Sequence, residues 1–385
     1  MLSRRTRPVM LLLALLVSLL VVAACEAEEA EEEPEDAVDD EPEEPAEDDE
    51  DEAAEDDEVE DAEEDADFAD APEIEISLGH PFPEDHPVAV NMVAPWADEV
   101  EERTEGTVTV EVVPGGGLAD ADAVYENVVA GAMDAGYALT GYTPGRFPAS
   151  QVLELPFVFE SGEQATNVFW DLYEEFPELQ EEYDDAVVLA LFTHDLGDLF
   201  TADQPVTEPQ DLDGLNVRSP GPQQNTLIES LGGSAVDMPA GEIYDSLDTG
   251  VIDAVMIANS GVSSFNLDEV ADHATLGGFY VATFFLTMNE GTYEQMSPEQ
   301  QAVIDETSGR ELSLEAATTY DEIYEELTAE YEDLGVEVNE LDEDELEQWR
   351  ELTEEAPEGW IEEAEAEGLP GAEMYDRMLE LADEY

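Results

Sequence analysis

The sequence predicts an α/β protein of two lobes, set behind an export signal and an acidic tether. Three observations carry this. Residues 73–139 alternate strand and helix as βαβαβ, the sign of a largely parallel sheet with helices on its faces. The region 73–385 is longer than one hydrophobic core usually serves. From Ser297 onward the pattern turns mostly helical.

Each element has a local reason. Glu73–Leu78 alternates with period two and stops at Gly79, which reads as a strand. Val88, Met92, Val93, Trp96 and Val100 follow at helical spacing, with Gly106 as the stop. Thr107–Val113 is a second strand, closed by Pro114 and the turn Gly115-Gly116-Gly117, which lacks the G-x-G-x-x-G spacing of a phosphate cradle. Val124, Val128, Val129 and Met133 mark a helix and Tyr137–Leu139 a third strand. Ala186–Phe192, Leu215–Val217 and Ala254–Ile257 read as further strands. Ser297-Pro298-Glu299 is a helix start with proline at the first helical position. It opens one long or broken helix through Tyr331, with shorter helices around Glu343–Leu352 and Gly371–Leu381. No internal repeat is visible.

Residues 1–25 are tripartite: Arg4, Arg5 and Arg7, then an apolar run from Val9 to Val22, then Ala23-Ala24-Cys25. The run is short and ends in small residues, as in a cleaved signal. Its end resembles a bacterial lipobox, which would leave lipid on Cys25, the only cysteine; the alternative is ordinary cleavage near Ala24. Residues 26–72 hold 30 acidic side chains and one aromatic, Phe68, a composition that favours a disordered, self-repelling tether.

Charge limits the function further. The chain has 104 acidic residues and nine basic ones, all arginine. Residues 73–385 keep 74 of the acids against six arginines, a formal charge of −68. Such self-repulsion destabilises a compact state in dilute buffer, whereas at molar salt the screening length falls to about 3 Å. Abundant Asp and Glu without lysine resembles proteins of extreme halophiles. Nucleic acid is excluded as a partner, because no cationic surface meets phosphate. No later apolar run is long enough to span a bilayer.

The stretch Pro209-Gln210-Asp211-Leu212-Asp213-Gly214-Leu215-Asn216-Val217-Arg218 places Arg218 at the C-terminal end of a short strand, where open α/β sheets put their ligands. Leu231-Gly232-Gly233, Met238-Pro239, Glu242-Ile243-Tyr244-Asp245-Ser246-Leu247 and Gly250-Val251-Ile252-Asp253 follow. Leu78-Gly79-His80, Leu155-Pro156-Phe157 and Phe285–Asn289 complete a series whose order and spacing resemble the solute receptors of tripartite ATP-independent periplasmic (TRAP) transporters, the DctP family.

The resemblance implies a two-lobed periplasmic-binding-protein fold, type II-like, with a long helix crossing both lobes. It divides the folded part into a first lobe at 73–198, a second at 199–283, and a return to the first lobe with a long helical C-terminal region at 284–385. It implies no enzyme activity and no cofactor, but an organic anion held by Arg218 and delivery to membrane permease subunits. A guanidinium meets a carboxylate through two parallel hydrogen bonds, which suits this role. Many relatives carry a second arginine where this chain has Asp198, so a monocarboxylate is expected rather than a tight dicarboxylate.

Other candidates stand beside Arg218. Arg146, in the loop Gly141–Pro148, either reaches the ligand or fixes the loop. His80 follows the first strand and either contacts ligand or caps a turn. Tyr142, Phe284 and Trp170 could line an apolar pocket or fill the core. Asn259 lies near a position where the family often has a contacting asparagine. His86, His194 and His273 form no metal spacing and read as structural. Arg103, Arg310, Arg350 and Arg377 each follow a glutamate by one helical turn (Glu99, Glu306, Glu347 and Glu373) and read as surface pairs.

The reading is thus a lipid-anchored extracytoplasmic receptor for an organic carboxylate. The receptor of an ATP-driven importer is the first alternative. A secreted α/β hydrolase is the second, although H-E-x-x-H, G-x-S-x-G and a cysteine nucleophile are all missing from the folded region. A structural surface protein is the third.

Overall fold

In the computed structural model, residues 68–385 are described. The expected export signal with Cys25, and the expected tether up to residue 67, lie outside the described residues. Phe68, expected within the tether, is buried, so packed chain begins before position 73.

The strands follow from alternation or from continuous apolar runs. In β1 (Ile74–Gly79), Ile76 and Leu78 are fully buried while Glu75 faces out. β2 is Val108–Val113, β3 Ala135–Leu139 and β4 Val187–Thr193. β5 (Gly197–Thr201), β6 (Asn216–Ser219), β7 (Ser234–Asp237) and β8 (Ala254–Ala258) come next. β9 is His273–Tyr280, β10 Thr283–Met288 and β11 Glu337–Glu340. The sequence reading missed β5, β7, β9, β10 and β11 as strands.

Two sheets result. The first has the order β2-β1-β3-β10-β4 and the second β11-β9-β5-β8-β6-β7. β1 is parallel to β2 and β3, and β10 runs antiparallel between β3 and β4. β6 is likewise parallel to β7 and β8, and β5 runs antiparallel between β8 and β9. Leaving aside the added edge strand β11, the second sheet repeats the strand order of the first. The sequence shows no repeat because topology constrains strand order and burial, not residue identity.

Two short segments carry the chain between the sheets, 194–196 from β4 to β5 and 281–282 from β9 to β10. The His194 amide donates to the Ala282 carbonyl at 3.3 Å, which ties the two crossings together. The helix Arg310–Leu334 packs against β4 and the helix Gly162–Glu175 on one side, and against Asn259–Ser264 and β11 on the other. It therefore crosses both lobes.

Of the two forms expected for the long helix, the broken one is found: Pro298–Glu306 ends, and Arg310–Leu334 begins after Gly309, whose φ of 92° few other residues adopt. The C-terminal region departs from expectation in two ways. A third short helix, Ala356–Glu367, joins Glu343–Thr353 and Gly371–Ala382; its buried Ala356, Trp360 and Ala364 sit four residues apart. Finally, β11 returns the chain to the second sheet: Val336 is buried, and the strand pairs parallel with β9.

The helix-surface arginines also choose other partners. Arg103 keeps Glu99 at 3.5 Å but also bonds Glu306. Arg310 bridges to Asp171 at 2.5 Å, Arg350 to Glu343 at 2.6 Å and Arg377 to Glu175 at 2.8 Å. With so many carboxylates available, tertiary packing rather than helical register selects the partner.

Candidate functional site

Arg218 is built into the second sheet. β6 lies between β7 and β8, with Arg218 opposite Val236 on one side and Val255 on the other. Its side chain is 1% exposed. Nε donates to the Met238 carbonyl at 3.0 Å and Nη1 to the Met256 carbonyl at 3.1 Å. Nη2 is buried with no partner. The other five arginines among the described residues each form an ion pair, and Arg218 forms none. A buried cation without a counter-charge is costly, and an anion delivered to it recovers much of that cost.

Arg218 lines a small cavity of about 40 Å³ between the lobes. Phe82, Tyr142, Phe265, Phe284 and Tyr320 supply apolar walls, and His86, His194, Ser260 and Tyr280 supply polar atoms. No aspartate or glutamate lines it, although the described fold is crowded with them. Burial pushes the His86 imidazole down to about 3 and His194 down to about 4, so both are neutral near pH 7. The only charge on the cavity wall is the guanidinium of Arg218.

Tyr142 lines the cavity, and its hydroxyl accepts the Ala240 amide at 3.1 Å, a bond from the first lobe to the second. Phe284 also lines it, stacked on Phe192 at 5.0 Å. The remaining candidates stand elsewhere. Arg146 bonds Asp185 at 2.7 Å and lies over the Tyr125 ring at 4.9 Å, which fixes its loop and keeps it off the cavity wall. His80 is buried against Tyr137 at 4.6 Å, behind the wall. Trp170 packs with Tyr173, away from the cavity.

Asn259 has its polar atoms occupied. Its Nδ2 donates to the Leu196 carbonyl at 3.1 Å and to Asp198 at 2.7 Å, and its Oδ1 accepts the Tyr331 hydroxyl at 2.6 Å. It supports the floor, while its neighbours Ala258 and Ser260 form the wall. Asp198 is fully buried and accepts the Gly277 and Gly278 amides, each at 2.8 Å. Burial pushes its carboxyl up to about 6. Asp195 accepts the Ser260 amide at 3.1 Å and bonds the Ser260 hydroxyl; burial pushes it up to about 8.

The sequence reading missed His86, His194, Ser260, Tyr280 and Tyr320. His194 and Tyr280 flank the two crossings, and nothing in local spacing reveals that these crossings meet. Among the described residues, no group of three His, Cys, Asp or Glu side chains is placed to hold a metal ion, and no helix is long and apolar enough to cross a membrane.

The sequence model of the bacterial extracellular solute-binding proteins, family 7 (DctP), matches residues 78–363. A solute-binding protein of Chromohalobacter salexigens is 31% identical over 236 residues, 60% of this chain and 68% of the relative. A marine metagenome TRAP solute-binding protein specific for aromatic acid ligands, solved with metahydroxyphenylacetate, aligns with a TM-score of 0.78 at 27% identity, covering 81% of this chain and 99% of that one. A TRAP solute-binding protein from Rhodoferax ferrireducens T118, in complex with copurified benzoate, aligns at 0.77 with 26% identity, covering 81% and 98%. A Chromohalobacter salexigens protein with bound D-glucuronate aligns at 0.70 with 26% identity, covering 80% and 100%. The two sheets and the crossing helix match the two-lobed fold of these structures, which are solute-binding proteins rather than enzymes.

Proposed function

Since the chain belongs to the bacterial extracellular solute-binding proteins of family 7, we propose that its interlobe cavity binds an organic monocarboxylate with an aromatic body. One observation carries this: Arg218 is the sole charge on an apolar wall, buried, with one guanidinium nitrogen unpartnered. A single anionic group satisfies it. The flat rings of Phe82, Phe284 and Tyr320 suit an aromatic body, and relatives of this fold bind hydroxyphenylacetate and benzoate. A sugar acid needs a polar partner for each hydroxyl, and this wall has few.

In this reading, the ligand closes the lobes and the closed form docks on the permease of a TRAP-type transporter. The export signal and Cys25 would hold the receptor at the outer face of the cell membrane, and the acidic surface would suit it to high salt. Neighbouring genes for a TRAP permease, rather than for an ATPase, would support this partner over an ATP-driven importer.

The test is calorimetry on the full chain at molar salt with benzoate, 3-hydroxybenzoate, mandelate and glucuronate. One of the aromatic acids binds the wild type and raises its melting temperature, and Arg218→Gln removes both effects. Undiminished binding by that variant rejects the assignment. Tighter binding of glucuronate than of any aromatic acid rejects the substrate class.

A further inference from the structure

The cavity wall holds a second buried donor besides Arg218. The Tyr280 hydroxyl has no hydrogen-bond partner, and the residue is 3% exposed. An unpaired buried hydroxyl is destabilising, so a fold that keeps one at a binding wall invites a use for it.

The backbone aims this ring. Tyr280 ends β9, opposite Gly197 of β5, and the pairing slips between Gly197 and Leu199. Such irregularities re-aim side chains beside functional sites. The Tyr280 ring lies directly on Gly197: a Cβ there would stand 2.3 Å from Cε1 and 2.6 Å from Cζ. Its other neighbour is the His194 imidazole, edge-on at 5.4 Å. Asp198 pins the same strand through the Gly277 and Gly278 amides, just before Tyr280. The acid that replaces an expected second arginine therefore anchors the strand that presents the phenol.

The phenol stays a donor. Burial pushes its proton affinity far above the ordinary tyrosine value; the nearby Arg218 charge opposes this, but less strongly.

We propose that Tyr280 is the second anchor of the ligand carboxylate: Arg218 Nη2 donates to the carboxylate, and the Tyr280 hydroxyl donates beside it. This rests on the carboxylate reading of the cavity. A neutral donor in place of a second cation matches a ligand with one negative charge. It also makes the hydroxyl, rather than the ring, a determinant of affinity.

The experiment is calorimetry on the full chain at molar salt with benzoate, 3-hydroxybenzoate and mandelate, comparing wild type, Tyr280→Phe, Gly197→Ala and Arg218→Gln. Tyr280→Phe removes only the hydroxyl. The expected result is affinity weakened about tenfold or more, the range of a hydrogen bond to a charged group, with the ligand-free melting temperature unchanged or raised. Gly197→Ala displaces the ring and weakens binding similarly. Binding undiminished in Tyr280→Phe but abolished in Arg218→Gln overturns the role of Tyr280 and leaves the carboxylate site standing. Failure of the wild type to bind any of the three acids overturns both.

Discussion

The amide of Ala240 donates to the hydroxyl of Tyr142 at 3.1 Å, and the two residues belong to different lobes. Beside them Gly141 meets Pro220 and Gly221 backbone to backbone. A Cβ at Gly141 would stand 3.0 Å from the Pro220 carbonyl oxygen and 3.3 Å from the Gly221 Cα. The lobes thus close along a seam where a side chain at Gly141 would push the facing backbone back by a few tenths of an ångström. Gly141→Ala should hold them slightly apart without unfolding either. We expect roughly tenfold weaker ligand binding, mainly through faster dissociation, with a near-normal ligand-free melting temperature. Calorimetry with stopped-flow release measures both; wild-type affinity in the variant would refute the seam as the closing contact.

Arg146 and Arg218 separate by environment. Arg146 has a carboxylate, a phenol and two aromatic faces around it, and its side chain is a quarter exposed. Arg146→Ala should therefore cost about 1 kcal/mol of stability, as partly exposed pairs and cation–π contacts do. Ligand affinity should stay within about twofold. Denaturant melts and calorimetry on the same variant check the two halves, and a large affinity loss would return Arg146 to the site.

Apart from a few buried carboxyls such as Asp195 and Asp198, the acids among the described residues lie outside the core, and Arg218 is the lone cation facing the cavity. At molar salt the protein should melt cooperatively; as salt is lowered well below molar it should lose its fold, because about −68 charges then repel across a longer screening length. Circular dichroism across a salt series tests this, and full stability in dilute buffer would remove the halophilic reading.

What the sequence disclosed and what it hid have separate physical origins. β1 alternates because Ile76 and Leu78 are buried on one face while Glu75 is exposed on the other; in β2 the same alternation in sequence lies over a half-buried strand, with only Val108 fully buried. Arg218 was legible because a strand end fixes where its side chain emerges. Tyr142 and Phe284 were legible only as aromatics of uncertain burial. Tyr280 and His194 were not legible, because their place depends on two distant crossings bonded to each other through His194 and Ala282. Asn259 was chosen from its place in sequence, near where the family often has a contacting asparagine, but its polar atoms turn into the framework, one of them onto Asp198.

Buried carboxyls and buried histidines pull stability in opposite directions with pH. Asp195 is raised to about 8 and Glu182 to about 7, both by burial. A carboxyl raised on folding stabilises fully below its unfolded value near 4 and loses that contribution as pH rises through its folded value. His80, His86 and His194 are lowered to about 4, 3 and 4 by burial, so their contribution is present above about 6.5 and is lost as pH falls toward those values. Below about pH 6.5 the two slopes oppose. Above it the histidines are neutral in both states and only the carboxyls act. Stability at molar salt should therefore fall between about pH 6.5 and 8, by up to about 1.4 kcal/mol per pH unit for each proton. Asp195→Asn can keep both Ser260 contacts, with the amide oxygen accepting the Ser260 amide and the amide nitrogen donating to the hydroxyl. It should flatten the slope from about pH 7 to 8, where Asp195 alone still titrates. Denaturant midpoints at half-unit steps measure this. An unchanged slope in the variant would show that Asp195 is already ionised in the folded protein.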